Sequence, residues 1–402
     1  MIIIIFRYQA LAQNGQVIDG VFEAGTEADV ISMIKNNKHM PISVERDIGA
    51  DAQIELFAPK VKKKDLTIFC RQFYVMLDAG LGIVKCLDIL SMQTENKTLR
   101  KALGEITEDV QTGLTLSEAM KAHTKIFPTI LISMVEAGEV SGNLDGIMER
   151  MAIHFEKENK IESKVKGAMV YPMVLAVVSV VVVVFMLIFV LPTFTGMFEG
   201  TDVPLPWPTK FLLDVSDSLR DFWYIYAAGL GLLIFGITTF LQTESGIRTF
   251  DTVKLKLPVV KTTTAKVITS RFTRTLSTLM DSGIHLIKSM EVVSNVVNNV
   301  VIRDRLVDSI EQIRKGVPLS RSVRDIGVFP PMVDSMIKIG EESGSLDDVL
   351  LKTADFYDDE VEQSLAKLTS LLEPLMIVVM ALLIGFIVIA MYLPMFDMMK
   401  TI

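Results

Sequence analysis

The sequence of 402 residues is poor in cysteine and histidine. Its two cysteines, Cys70 and Cys86, are typical of reduced thiols in a protein core, and a disulfide between two adjacent helices is the alternative. Four histidines lie far apart, without the spacing of a metal site: His39, His123, His154 and His285. The sequence therefore indicates neither a disulfide scaffold nor a histidine metal centre.

Excess positive charge and catalytic motifs are also missing. The formal net charge is −8, which gives no reason to expect a nucleic-acid partner. Three patterns do not occur: Gly-x-x-x-x-Gly-Lys-Ser/Thr, His-Glu-x-x-His and Gly-x-Ser-x-Gly. We therefore predict that the chain is not an enzyme and binds no cofactor.

Long apolar segments, in contrast, are present three times, at 168–190, 222–241 and 371–393. Each is close to the ~20 residues that cross a bilayer as a helix. The first is rich in valine, but a lone strand in lipid would leave its backbone polar groups unpaired, so a helix is favoured. The sequence predicts three transmembrane helices.

The only ionisable residue of these segments is Glu373, at the edge of the third. An acid within a membrane is usually functional, although at the edge it can also lie among the lipid headgroups. A single acid argues against intramembrane aspartyl proteolysis and against an ion-coupled transporter.

Basic residues set the orientation of the chain. Of its 40 lysines and arginines, 20 lie in 1–167, 17 in 242–370 and three elsewhere. Because cytoplasmic segments carry the excess of basic residues, both large lobes and the N-terminus are predicted to be cytoplasmic. The 191–221 loop and the 394–402 tail are predicted to lie outside.

The two lobes are copies of one unit. At an offset of 203 residues, Asp78-Ala79-Gly80-Leu81 recurs as Asp281-Ser282-Gly283-Ile284; the offset later becomes 202. Each unit ends in a membrane-spanning helix, so the unmatched segment at 222–241 must return the chain to its original side. The repeated motif consists of these residues: Glu136, Gly138, Glu139, Ser141, Gly142, Leu144 and Asp145, then Gly340, Glu341, Ser343, Gly344, Leu346 and Asp347.

Apolar periodicity and helix-capping patterns predict about six helices in each unit. A hairpin signal, Asn14-Gly15, lies between two strand-like segments near the N-terminus and precedes a helix at 26–36 and a strand near 42–44. The fold class is therefore an all-α membrane protein with two repeated six-helix cytoplasmic bundles, three transmembrane helices and a small N-terminal β-β-α-β module. The predicted domains are 1–57, 58–167, 168–190, 191–221, 222–241, 242–370, 371–393 and 394–402.

The acids of the first motif have two alternative interpretations. Glu136 and Glu139 could hold a divalent cation through carboxylate oxygens, or they could be solvated acids in a turn between helices. The second interpretation is favoured, because only one or two carboxylates converge there. Four prolines are predicted to mark the ends of the membrane-spanning segments: Pro172, Pro192, Pro374 and Pro394.

The hairpin start, the repeated Gly-Glu-x-Ser-Gly-x-Leu-Asp motif and the x-Pro starts of two membrane segments resemble the type II secretion F family. The resemblance covers nearly the whole chain. One departure is Lys338 in the second copy where the first has Glu136, so a cation site would not be repeated.

The resemblance implies a non-enzymatic platform in the bacterial inner membrane, which contacts a hexameric assembly ATPase and guides pilin or pseudopilin subunits into a filament. It also implies a homo-oligomer and contacts with other inner-membrane assembly proteins. It does not separate pilus assembly from type II secretion. A transporter or channel subunit is the alternative, because such proteins also contain parallel repeats.

Overall fold

The computed structural model describes residues 4–11, 17–24, 27–36, 39–46, 59–196 and 205–401. The chain forms two compact units, Met1–Lys60 and Val61–Ile402.

The first unit contains an antiparallel sheet in the order β2-β1-β3. Its elements are β1 (Ile4–Leu11), β2 (Val17–Ala24), helix α1 (Glu27–Asn36) and β3 (Met40–Arg46). β1 pairs with β2 from Ile4↔Ala24 to Leu11↔Val17, and its pairing with β3 shifts between Gln9 and Ala10. The predicted Asn14-Gly15 turn lies outside the described residues.

The first repeat forms six helices within the described part of the chain. They are α2 (Lys63–Asp78), α3 (Ile83–Gln93), α4 (Lys97–Gln111), α5 (Leu116–Lys121), α6 (Thr129–Ser141) and α7 (Leu144–Phe185). Thr115 and Glu118 form a capping box at the start of α5. Helix α2 begins at Lys63, within the predicted domain 58–167.

The chain continues beyond the first predicted membrane segment as helix. A π-helical turn (Met186–Val190) joins α7 to α8 (Leu191–Gly196), and α9 (Trp207–Asp221) precedes α10 (Trp223–Phe240). The prediction of an external loop at 191–221 was therefore wrong about its conformation. Two prolines, Pro206 and Pro208, flank the first helical position, where a missing N–H costs little.

The second repeat has one helix more than the first among the described residues. Its helices are α11 (Glu244–Lys256), α12 (Pro258–Asp281), α13 (Leu286–Val296), α14 (Val300–Arg314), α15 (Leu319–Ile326), α16 (Pro331–Ser343) and α17 (Leu346–Thr401). The predicted tail at 394–402 is thus helical as far as Thr401. Helices α12 to α17 correspond to α2 to α7, and α11 is additional.

Within the part of the chain that the structure describes, three helices are long and apolar enough to cross a membrane: α7 with its continuation, α10 and α17. The four predicted span-end prolines do not end helices. Pro172 lies inside α7, Pro374 and Pro394 lie inside α17, and Pro192 is the second residue of α8. Their position at the edges of the membrane remains a prediction.

One hydrophobic core extends through both bundles of the second unit. Phe69 contacts Phe73 and Phe127 in the first bundle, and Phe272 contacts Phe329 in the second. Both cysteines are free and buried, and burial raises the pKa of the Cys70 thiol. Neither thiol therefore suits reaction with solvent reagents.

Candidate functional site at the junction of the repeats

The repeated motif forms a close crossing between two consecutive helices. A Cβ atom on Gly138 of α6 would lie 3.2 Å from the Cα atom of Leu144, at the start of α7. The corresponding Cβ on Gly340 of α16 would lie 2.9 Å from the Cα atom of Leu346. Only glycine permits this approach without a shift of the backbone.

A second glycine of each motif ends the helix. Gly142 (φ 70°) and Gly344 (φ 71°) adopt the left-handed conformation immediately after α6 and α16. Glycine reaches this conformation without the steric cost of a side chain. The chain then reverses at once into α7 or α17, so the motif sets the angle between the last two helices of each bundle.

Gly340→Ala is expected to lower the free energy of unfolding by about 1–3 kcal/mol, because the new methyl group overpacks against backbone. Gly138→Ala should cost less, since its nearest neighbour, 2.9 Å away, is a side-chain atom of Ile147 that can move. As a control, a Cβ on Gly104 in α4 meets nothing within 4 Å, so Gly104→Ala should stabilise by up to ~1 kcal/mol. Thermal unfolding in detergent measures all three; equal stability of the Gly340 and Gly104 variants would contradict the packing argument.

The motif glutamates cap a neighbouring helix. Glu139 accepts hydrogen bonds from the backbone N–H groups of Leu116 (2.6 Å) and Ser117 (3.2 Å), at the start of α5. In the second copy, Glu341 accepts the same two bonds from Leu319 and Ser320 of α15, also at 2.6 and 3.2 Å. A carboxylate stabilises the N-terminus of a helix by satisfying free N–H groups and complementing the dipole.

Glu136 and Glu139 do not converge on a common cation position. Glu136 forms an exposed ion pair with Lys121 at 3.1 Å, while both oxygens of Glu139 face N–H donors. The interpretation of Glu139 as a solvated acid was therefore wrong. Across the described residues, no group of three or more histidine, cysteine, aspartate or glutamate side chains could hold a metal.

Two ion pairs between the first and last helices of the bundle occur at equivalent positions in both repeats. Lys63 contacts Glu158 at 2.5 Å, and Lys266, 203 residues later, contacts Glu360 at 2.6 Å. Arg71 pairs with Glu156 at 3.2 Å on the surface. Its counterpart Arg274 is buried, and it contacts Asp358 at 2.6 Å and Asp355 at 2.8 Å. The repeat offset, applied to charged residues, would have identified these pairs.

Other ion pairs connect the two repeats directly. Lys157 of α7 lies 3.5 Å from Asp355 of α17, and Lys164 of α7 pairs with Glu362. Arg150 bonds to Asp281 at the end of α12 at 2.9 Å. Beneath the predicted membrane segments, the side chains of Ile161, Val361 and Leu365 form a small apolar cluster between α7 and α17. Apolar packing and complementary charge therefore hold the lobes together.

His154 is the most unusual polar residue of this junction. It is buried, and neither ring nitrogen has a hydrogen-bond partner among the described residues. Burial lowers the pKa of its imidazole to about 4, because desolvation disfavours the charged ring. The ring lies against Phe155 and lines a cavity of about 540 Å³ between the lobes. At neutral pH it is an uncharged core residue.

Glu373 has its partner on the other repeat. The hydroxyl of Tyr171 donates to a Glu373 oxygen at 3.5 Å, so the two residues that the repeat places at equivalent positions meet between α7 and α17. Glu373 is thereby a link between the helices.

Helix α9 lies near the other ends of the two membrane-crossing segments, beside Pro192 and Pro394. Two of its side chains donate the hydrogen bonds that these prolines cannot donate. Pro394 has no N–H to donate to the carbonyl of Ala390, one turn earlier; the buried hydroxyl of Thr209 donates to it instead, at 2.5 Å. In the π-helical turn, Leu191 donates to Met186, so the next carbonyl, that of Leu187, would need a donor from Pro192. Ser216 supplies that bond at 2.6 Å.

Thr209 and Ser216 lie two turns apart on one face of α9, with buried Leu212 between them. Leu212 packs in a cluster with residues of both neighbouring helices, including Leu187 and Met391. We call these three residues of α9 the outer clasp. The outer clasp joins α17 to the segment that follows α7. It does so by donating to the two carbonyls that have no backbone donor because of Pro192 and Pro394.

These features define a class: a membrane protein made of a duplicated helical bundle, in which the last helix of each bundle is continuous with a membrane-crossing segment. Comparison with known proteins identifies the member of that class. The family model described as type II secretion system (T2SS), protein F, matches residues 69–192 and 272–394, one match in each repeat. The model of that family's N-terminal domain matches residues 4–45.

The chain belongs to the type II secretion system protein F family, which confirms the resemblance seen in the sequence. It is 36% identical over 409 residues to the type IV pilus assembly protein PilC of Thermus thermophilus, covering 99% of each chain. It is 34% identical over 394 residues to PilC of Myxococcus xanthus, covering 98% of this chain and 94% of that protein. With the type II secretion system protein F of Vibrio cholerae it shares 33% identity over 398 residues, 98% of each chain. None of the matching models is that of a catalytic family.

Proposed function

We propose that this chain is a non-enzymatic platform protein of a type IV pilus assembly machine in the bacterial inner membrane. Its cytoplasmic lobes receive the conformational change of a hexameric assembly ATPase, and its membrane helices pass that change to pilin subunits. Relatives named for pilus assembly at 36% and 34% identity favour a pilus over secretion.

The observation that carries the proposal is the continuity of α7 and α17. Each begins at the repeated motif of its bundle, at Leu144 or Leu346, and runs without a break into its membrane segment. A helix transmits rotation or tilt along its length, because most of its backbone units are hydrogen-bonded to the next turn. The ion pairs of Lys157 and Lys164 with α17 make the two helices move together.

The orientation and partners follow from the same arrangement. The distribution of basic residues favours a cytoplasmic N-terminus and an external C-terminus. The ATPase would then meet the lobes, the pilins and other inner-membrane assembly proteins would meet the spanning helices, and a homo-oligomer would surround the growing filament.

Breaking the continuity of these helices is expected to abolish pilus assembly without unfolding the lobes. The variants insert Gly-Gly between Gly167 and Ala168 of α7 and between Ser370 and Leu371 of α17, where Gly167 and Ser370 are exposed. Two glycines turn the following helix by about 200° and weaken it. Surface pili are counted by electron microscopy, and membrane levels of the protein are measured by immunoblot.

The matched control inserts Gly-Gly between Thr124 and Lys125, two exposed residues between α5 and α6, and should leave pili at the normal number. Normal piliation with both helix insertions would rule out coupling through these helices. Transport of solute by the purified protein in liposomes would instead support the channel alternative.

A further inference from the structure

We propose that a cavity directly beneath α10 binds the anionic headgroup of a phospholipid. The cavity measures about 370 Å³, within the ~300–1,000 Å³ range of small-molecule sites. It lies between α11 and the start of α14, where α10 ends at Phe240 and the chain leaves the membrane. The proposal requires that α10 crosses a bilayer, and it is independent of any role in pilus assembly.

Helix α11 has the surface of a helix that lies at a membrane boundary. Four apolar side chains form an exposed stripe along it and its C-cap: Ile247, Phe250, Val253 and Leu257. Phe250 is 46% and Leu257 49% exposed, although α11 packs on α12 and α14. Basic residues flank the stripe, at Arg248 and Lys256. A helix with an apolar face and basic flanks lies in the lipid headgroup region.

The lining of the cavity matches the two parts of a lipid. Leu241, Ile247 and Phe250 are its apolar lining residues from the end of the membrane helix and from α11, suited to the first carbons of an acyl chain. Lys254 and Arg303 are its cations, suited to a phosphate. The cavity thus has one apolar side, suited to an acyl chain, and one basic side, suited to a phosphate.

The local charge balance favours an anion. Asp251 lines the same cavity, but one of its oxygens accepts the backbone N–H of Val300 at 3.0 Å and the other lies 3.5 Å from Lys254. Arg303 contacts Asp304 at 3.3 Å, and Asp304 also holds Arg248. Three cations therefore meet two carboxylates, which leaves one positive charge in surplus at this site.

Amide groups complete the polar wall. Asn298 and Asn299 line the cavity at the turn before α14, and Asn298 adopts a positive φ of 53°. The Oδ1 atom of Asn299 accepts from Ile302, so its amide N–H₂ remains the donor side of the group.

Native mass spectrometry of the full-length protein in a non-ionic detergent tests the proposal. Phosphatidylglycerol and phosphatidylcholine are titrated separately, and the phosphatidylglycerol adduct should form at roughly tenfold lower lipid concentration. The double variant Lys254→Gln, Arg303→Gln should lose that preference, since each cation near an anionic lipid contributes severalfold to binding. Arg314→Gln, Lys315→Gln, two changes at the far end of α14, should retain it.

Three outcomes would overturn the proposal. The first is equal binding of the two lipids by the unmodified protein, and the second is unchanged phosphatidylglycerol binding by the Lys254 and Arg303 variant. The third is displacement of the lipid by millimolar inorganic phosphate, which would show a site for free phosphate. The unfolding temperature of each variant is measured in parallel, so that loss of binding is compared only between folded proteins.

Discussion

Thr209→Val with Ser216→Ala is expected to destabilise the packing of α9 against its two neighbouring helices by roughly 2–6 kcal/mol. Each substitution leaves one buried carbonyl without a donor, and an unsatisfied buried polar group costs about 1–3 kcal/mol. Neither carbonyl can recover a backbone bond, because the residue that would donate is Pro394 or Pro192. Thr209 and Ser216 are both buried, so water cannot readily take the place of the lost donors.

The expected consequence is a wider and broader distance between the outer ends of the two membrane helices. Spin labels on cysteines placed at Phe194 and Phe396, which occupy equivalent positions in the two repeats and are exposed, report that distance by pulsed electron paramagnetic resonance. The native cysteines should not take up label, because both are buried.

The control for the outer clasp also replaces one threonine and one serine, Thr239→Val with Ser218→Ala. Thr239 donates to a carbonyl of its own helix, and Ser218 bonds to the exposed Tyr226 hydroxyl. These changes leave no buried carbonyl without its donor, so the distance distribution should stay narrow. An unchanged distribution in the outer-clasp variant would mean that the hydroxyls do not hold the helices together.

Arg274→Met should have the second large effect, a loss of about 3–5 kcal/mol. Arg274 is 5% exposed, and its guanidinium contacts both Asp355 and Asp358. Its removal leaves Asp358 partly buried and without its ion-pair partner, and breaking a buried pair from one side is far more costly than breaking an exposed one. The unfolding midpoint in detergent measures the loss.

The first repeat contains the matched control. Arg71→Met removes an equivalent pair, but the side chains of Arg71 and Glu156 are 43% and 64% exposed, so the expected cost is ~0–1 kcal/mol. Adding Asp358→Asn to Arg274→Met should recover part of the loss, because it removes the uncompensated charge. Equal effects of Arg71→Met and Arg274→Met would show that burial does not set the strength of these pairs.

The parts of the fold that the sequence predicted are those with a local or periodic signature. The apolar segments and the 202-residue offset that relates Gly138 to Gly340 are of this kind. The role of Glu139 could not be seen, because the N–H groups that donate to it lie on a helix 22 and 23 residues earlier. A carboxylate after a glycine has the same local sequence whether it faces water or another helix.

Helix α9 was missed for a different reason. Its buried face consists of Thr209, Leu212 and Ser216. Because two of the three carry hydroxyl groups, the sequence shows no apolar stripe there. Their burial makes sense only once Pro192 and Pro394 are known to lie inside continuous helices beside them. The buried face of α9 can be recognised only from the backbone carbonyls of the neighbouring helices that have no backbone donor.

The opposite charges on α7 and α17 have a consequence for how the two halves can combine. Lys157 and Lys160 occupy the same repeat positions as Asp359 and Glu362. A tandem of two first halves would bring ammonium groups face to face, and a tandem of two second halves would do the same with carboxylates. The two repeats share one fold but carry complementary charges where they meet. Neither repeat can therefore be replaced by a second copy of its partner repeat.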